Sequence, residues 1–412
     1  MGAKVVAAHG RGAIGTGAGL PNLAPGGTTR RWALRFGSRS WGSDGTWYGW
    51  LIVVVVAGVV LWWSFGVLRG DGGDDWARRG SPALAWTGDQ LFVYGGAPVP
   101  GDTETVRSSE PLGNAALIDP ESGEVDTLPG APFDRALAVA PAAVAVGDEV
   151  FVVGAMCREA EDDLGCPAGG YRAAVYSIPD DEWREVEVPD QLKLISNGQS
   201  EAVGTTSDGR AVVVLGARDG FGALASRQIW TYSPADDTWE MLPAPGSLIE
   251  GVCMANDAVV VGSGLLPSTA AGAGPTLQVM ALDGDARVWF PTEAAGVTPF
   301  GDTASLTCGD DLVLFDDGDS VREVFDLGVD GGWRAAADAP GDDSHASRLW
   351  TGEEFLFLDP TALNLAYDPV ADTWRGLEGS APSGIRPVWT GDAVIAWPGR
   401  TETPVTFEVD SD

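Results

Sequence analysis

Two histidines, two lysines and four cysteines are all that this 412-residue chain holds of the residue types that most often build metal centres, proton relays and covalent adducts. His9 precedes the apolar run at 48–68 and His345 follows it, so with the two expected on opposite sides of a membrane a multi-histidine zinc or copper site within one chain is excluded. Positive charge is also scarce: 25 Lys+Arg stand against 59 Asp+Glu, a formal net charge of -34. Such a chain has no electrostatic grip on phosphates, so DNA and RNA are excluded as partners. Present in quantity are 57 Gly, 27 Pro and 17 Trp, a composition of many short strands and turns.

Residues 48–68 read YGWLIVVVVAGVVLWWSFGVL, an uncharged run of 21 residues, and about 20 span the hydrocarbon core of a bilayer. The run predicts one transmembrane helix, with Trp47, Trp50, Trp62 and Trp63 near its ends. Lys4, Arg11, Arg30, Arg31, Arg35 and Arg39 precede it, whereas Arg69, Arg78 and Arg79 follow among Asp71, Asp74 and Asp75. That bias places the N-terminus in the cytoplasm and the rest outside the plasma membrane. No A-x-A cleavage pattern follows in SFGVLRG, so the segment is expected to remain as a single-pass anchor. Residues 1–47, Gly-rich and basic, read as a flexible cytoplasmic tail, and 69–75 as a short linker.

From 76 to 412 one pattern recurs. An apolar strand, a tight polar turn and a second apolar strand appear seven times, at 85–96, 144–154, 206–216, 254–262, 307–315, 350–358 and 389–397. Most units continue with a third strand ending in a large apolar residue and a Trp about seven positions later: Tyr176 and Trp183, Tyr232 and Trp239, Leu282 and Trp289, Phe325 and Trp333, Tyr367 and Trp374. Four short strands per unit predict an all-β, seven-bladed β-propeller preceded by one transmembrane helix. The last unit ends after TPVTFEVD, while DDWARRGSP at 74–82 matches the fourth-strand phrase ADTWRGLEGSAP. The stretch around Trp76 is therefore expected to complete the last blade beside 403–409 and remove its exposed edge.

The segments YSPADDTWEMLPAP, YDPVADTWRGLEGSAP and IDPESGEVDTLPGAP, with the doublet Gly95-Gly96, resemble Kelch repeats. The doublet occurs in one unit, and Val125 stands where the first unit would carry its Trp. Galactose oxidase shares the Kelch-type propeller but requires a histidine pair on copper that this chain lacks, so the resemblance implies the fold and not that oxidase activity.

In blades of this kind the long connections, near 97–114, 155–170, 217–227 and 263–275, share one face. The short tether enters on the opposite face, so the loop-rich face is expected to point outward. Aligned on the first turn of each unit, Arg135, Glu201, Glu250, Asp302, His345 and Arg386 fall at the entrance to the innermost strands and form the candidate binding mouth. Cys157 and Cys166 bracket one loop outside the membrane and are a candidate disulfide. Cys253 and Cys308 are open between a bridge and two buried thiols. The acidic runs at Glu159, Glu161, Asp162 and Asp163, and at Asp316, Asp317 and Asp319, lack full calcium-loop spacing and read as solvated loops. No residue is assigned to catalysis, to a cofactor or to a metal. The expected function is a protein- or glycan-binding scaffold on the cell envelope, with a propeller hydrolase acting on envelope polysaccharide as the alternative.

Overall fold

The computed structural model describes residues 79–98, 112–133, 136–137, 141–157, 168–193, 198–218, 224–245, 249, 251–263, 276–282, 288–291, 305–316, 322–327, 332–340, 346–359, 363–378, 381, 386–397 and 405–408. The expected membrane segment 48–68 and Trp76 lie outside them. Among the described residues no helix is long and apolar enough to cross a membrane.

The fold is all-β and antiparallel. A two-residue ladder joins β1 (Arg79–Gly80) to β4 (Ala97–Pro98). The first four-stranded sheet runs β2 (Ala83–Trp86), β3 (Leu91–Tyr94), β5 (Ala115–Ile118), β6 (Val125–Thr127). The second is β7 (Ala142–Val146), β8 (Glu149–Cys157), β9 (Ala168–Ser177), β10 (Glu182–Val186), followed by one helical turn, α1 (Asp190–Lys193). The third is β11 (Gly198–Thr205), β12 (Ala211–Arg218), β13 (Leu224–Ser233), β14 (Thr238–Met241). The fourth is β15 (Gly251–Ala255), β16 (Ala258–Ser263), β17 (Thr276–Ala281), β18 (Phe290–Pro291). The fifth is β19 (Ser305–Cys308), β20 (Leu312–Asp316), β21 (Arg322–Asp326), β22 (Trp333–Ala335). The sixth is β23 (Ser347–Trp350), β24 (Phe355–Leu358), β25 (Leu365–Asp368), β26 (Thr373–Gly376), and a three-stranded sheet follows, β27 (Arg386–Trp389), β28 (Ala393–Trp397), β29 (Val405–Glu408). Every apolar hairpin expected from the sequence is the first pair of one of these sheets.

The second strands are too apolar for a half-solvated sheet: LFVY in β3 and FLFL in β24 are buried at every position. Each sheet must therefore be covered on both faces. Phe92 and Tyr94 pack with Val150, Val152 and Tyr176 of the second sheet. Phe151 and Val153 pack with Trp230 and Tyr232 of the third. Shared clusters continue from third to fourth, fourth to fifth, fifth to sixth and sixth to last. Leu91, Val93 and Ile118 then meet Ile395 and Trp397, which joins the last sheet to the first. The opening strands follow the same order, β2 beside β7 and so on to β27 beside β2. Several four-stranded antiparallel sheets packed in this way are compatible with a β-propeller.

A repeated latch explains the aromatic spacing. Tyr176, Tyr232 and Tyr367 lie directly across the ladder from Trp183, Trp239 and Trp374. Each tyrosine hydroxyl donates to an aspartate five residues on, Asp181, Asp237 or Asp372, at 2.7 Å. Those aspartates hold φ of 53–54°, a left-handed turn that non-glycine residues adopt at a cost. The neighbouring indoles reach back to the preceding sheet: Trp183 Nε1 donates to Pro129 O, Trp289 to Pro243 O and Trp374 to Ala337 O, at 2.7–2.8 Å. Trp239 Nε1 has no partner among the described residues. At its corresponding place α1 begins, and Pro189 O accepts from Leu192 N instead. An arginine just after the Trp reaches forward: Arg184 donates to Asp237 at 3.0 Å, and Arg334 to Pro369 O and Tyr367 Oη.

The glycine doublet has a local cause. Gly96 has φ of +87°, and a Cβ there would sit 3.0 Å from Gly80 O and 3.2 Å from Pro82 N. The chain entering the first sheet crosses at that point, which accounts for a doublet in this unit. The expected fourth strand at 74–82 is described only from Arg79 onward, and there it pairs with Ala97–Pro98 and not with 405–408. Arg79 is buried, donates to Asn114 Oδ1 at 2.8 Å, and its carbonyl accepts from Trp397 Nε1 at 3.1 Å.

Two outcomes follow from these contacts. The Tyr232 hydroxyl is the main cause holding the Asp237 carboxyl below its ordinary range. A carboxylate with a lowered folded pKa stabilises the fold above its unfolded value, near 4, and that contribution fades as pH falls through the folded value. Tyr232→Phe should lower stability by about 1 kcal/mol at pH 7, and denaturant titrations should show the gap to wild type narrowing below pH 4. Separately, a chain beginning at residue 83 loses the bonds of Arg79 and should melt below one beginning at 70. Gly96→Ala should then lower the melting temperature more in the longer chain than in the shorter, since the atoms it strikes are missing from the latter.

Candidate functional site

The first residues of the opening strands gather at the end of the fold that also carries the long connections. Of the six residues expected at the mouth, Arg135, Glu250, Asp302 and His345 lie outside the described residues. Glu201 and Arg386 are described, the one on β11 and the other at the start of β27. Arg386 is the first residue of β27, partly buried, and its Nη1 donates to Pro82 O at 3.1 Å. Burial pushes its guanidinium down from the usual arginine range, and the Glu201 carboxylate opposes that shift. Glu201 belongs to β11, in the third sheet, whereas Arg386 opens the last one.

Glu201 is about half exposed and pairs through Oε2 with Arg227 Nη2. Arg227 lies on β13 with only 14% of its side chain exposed. β12 runs between the two strands, and the register sets Val214 beside Glu201 and Gly216 beside Arg227. The Arg227–Glu201 pair was not legible as a pair, but Arg227 had a signal. In SRQIWTYS it shares the strand face of the buried Ile229, where an arginine needs a partner.

Asp316 corrects an expectation. It does not lie in a solvated loop: it ends β20, is 1% exposed, and its Oδ2 accepts from Arg322 Nε at 3.1 Å and Arg348 Nη2 at 3.0 Å. Arg322 also lies over the rings of Phe357 and Trp374, at 5.3 and 5.1 Å. The cluster ties β20 and β21 of the fifth sheet to β23 of the sixth, so it reads as an internal strut. Asp317 and Asp319 are outside the described residues, as are the loop acids 159–163. No group of three His, Cys, Asp or Glu able to hold a metal occurs among the described residues.

Cys253 and Cys308 form a disulfide with Cα atoms 5.6 Å apart. They sit on β15 and β19, the opening strands of consecutive sheets, so the bond staples two neighbours at the inner edge. Of the other expected pair, Cys157 ends β8 and Cys166 lies outside the described residues, so that pairing is not described.

No protein-family model matches the chain, and no curated protein sequence matches it.

The bridge closes a loop with a sequence separation of 55 residues, and removing a native disulfide typically costs about 2–4 kcal/mol. The double variant Cys253→Ala, Cys308→Ala should lose stability in that range by denaturant unfolding, and reductant should lower the midpoint of the wild-type protein more than that of the variant.

Proposed function

We propose that the chain is a single-pass membrane protein that displays a seven-bladed, Kelch-like β-propeller outside the cytoplasmic membrane and binds a protein or glycan partner at its loop-rich face. The single observation that carries the binding role is the cyclic order of the opening strands, from β2 beside β7 round to β27 beside β2, which brings their first residues to the end from which the long connections leave. The seven shared apolar clusters, returning from the last sheet to the first, support the blade count. The Cys253–Cys308 bond suits an oxidising compartment, as expected of a segment beyond the membrane. The apolar run 48–68 and the arginines before it support the anchor and its direction.

Surface charge shapes the choice of partner. Beyond residue 68 lie 58 of the 59 acidic residues and 19 of the 25 basic ones. That field repels anionic lipid and extended polyanions and holds the propeller off the membrane surface.

Protease added to intact cells should cut beyond residue 69 and spare the tail at 1–47. In the same cells, cross-linking followed by capture of the protein should recover a partner whose yield falls when Arg386 is replaced by Ala, with a melting curve showing that the variant stays folded without its bond to Pro82 O. Digestion of the tail would reverse the orientation. Capture unaffected by Arg386→Ala but abolished by exchanging the 97–114 and 155–170 connections would move the site to those loops.

A further inference from the structure

We propose that the tight-turn end of the fold carries a second docking surface, an arc of Trp350, Trp389 and Trp86 rimmed by carboxylates, which receives an arginine-rich polypeptide segment. It lies at the other end of the opening strands from the loop-rich face and stands independently of the role assigned there.

The three tryptophans occupy one structural position. Each is the last residue of an opening strand, β23, β27 or β2, and pairs across the ladder with Phe355, Val394 or Leu91. The same turn follows each: the backbone N–H of Thr351, Thr390 or Thr87 donates to the carbonyl three residues on, and a glycine with φ of +104° to +111° comes next. The sheets are consecutive, since β27 lies beside both β23 and β2. Arg386 donates from the start of β27 to Pro82 O just before β2, so these two strands run the same way and Trp389 and Trp86 share an end. Trp350 lies at that end too, because its ring rests on Gly309 in the tight turn of the fifth sheet, where a Cβ would come within 3.0 Å of it.

Packing does not demand this bulk. Each indole leans on the sheet before its own, Trp350 on the cluster of Leu314, Trp389 on that of Leu356 and Trp86 on that of Ile395. In the other four sheets the corresponding places hold Ala145, Thr205, Met254 and Cys308, so a side chain as small as alanine closes the same position. All three indoles stay partly exposed. A Cβ on Gly88, Gly352 or Gly391 would meet nothing within 4 Å, so the turns beside them border open space. Three such rings on adjacent strands make a contiguous patch, not scattered surface residues.

Charge selects the occupant. Every one of the three turns carries an exposed carboxylate, Asp89, Glu353 or Asp392. Thr87 Oγ1 donates to Asp89 at 3.1 Å and Thr390 Oγ1 to Asp392 at 2.7 Å, which fixes those two on their turns. Indole faces attract cations, and the field of a chain with net charge -34 draws cations in while repelling polyanions and anionic lipid. A guanidinium stacks flat on an aromatic face and is more weakly hydrated than an ammonium, so arginine is favoured over lysine. Several arginines on one extended segment match three rings in a row.

The test is fluorescence anisotropy of labelled hexa-arginine and hexa-lysine peptides titrated with the full-length protein in a non-ionic detergent. Hexa-arginine should bind at least fivefold more tightly than hexa-lysine, and Trp389→Leu should erase that preference. Should Trp389→Leu fail to fold, two triple variants of equal charge decide. Asp89→Asn, Glu353→Gln, Asp392→Asn should lose at least tenfold in hexa-arginine affinity, whereas Glu187→Gln, Asp338→Asn, Glu378→Gln should stay within twofold of wild type. Equal binding of the two peptides, an unchanged preference in Trp389→Leu, or equal losses in the two triple variants would overturn the proposal. It would also fall if hexa-arginine did not bind while brominated phosphatidylcholine quenched more tryptophan emission in the wild type than in Trp389→Leu, since the arc would then face lipid.

Discussion

The whole architecture depends on the need to cover every sheet twice. A strand such as FLFL in β24, buried at all four positions, cannot face water on either side, and the same holds for LFVY in β3. One neighbour per sheet would leave each end of a row bare. The packing meets the requirement by returning: Trp397 and Ile395 of the last sheet share a cluster with Leu91 and Val93 of the first. The latches follow from it. Once sheets lie face to face, a Trp on one outer strand comes within reach of the carbonyl that ends the sheet before it, as between Trp374 and Ala337.

Much of this was written in local patterns. The hairpins needed only short apolar runs and tight turns, because their partners are neighbours in sequence. The Tyr-to-Trp spacing likewise reports one turn, with Tyr176 opposite Trp183. What escaped were groups whose partners lie far along the chain. Arg184 meets Asp237 53 positions away, and Arg348 meets Asp316 across 32. Asp316 looked like part of an acidic loop because sequence places it beside Asp317 and Asp319, whereas its environment is set by two arginines from other strands. Cys253 and Cys308 could be placed on equivalent strands, but whether the sulfurs meet depends on the approach of two opening strands. Alignment of the repeats put Glu201 and Arg386 on opening strands, where β11 and β27 carry them, but gave no place to Arg227 on β13.

Charge is distributed with the same economy. Acidic residues dominate the composition, yet the described interior of the loop-rich end is held by arginines: Arg79 on Asn114, Arg227 on Glu201, Arg322 and Arg348 on Asp316. Their long aliphatic stems fill space between strands while the guanidinium tips satisfy oxygens at strand ends. Arg386, at the start of β27, serves the same end by donating to Pro82 O.

The disulfide and the entry of the chain stand at different seams. The bond joins the fourth and fifth sheets, while Arg79 enters where the last sheet meets the first. Tension drawn through the N-terminal segment would arrive first at that seam. There the first and last sheets hold together by the shared cluster around Trp397, by Arg386 on Pro82 O, and by the Trp397 indole on Arg79 O. A pull strong enough to part them would break these three contacts, none of them covalent, whereas the fourth and fifth sheets are held at another seam by a bond that tension of that size leaves intact.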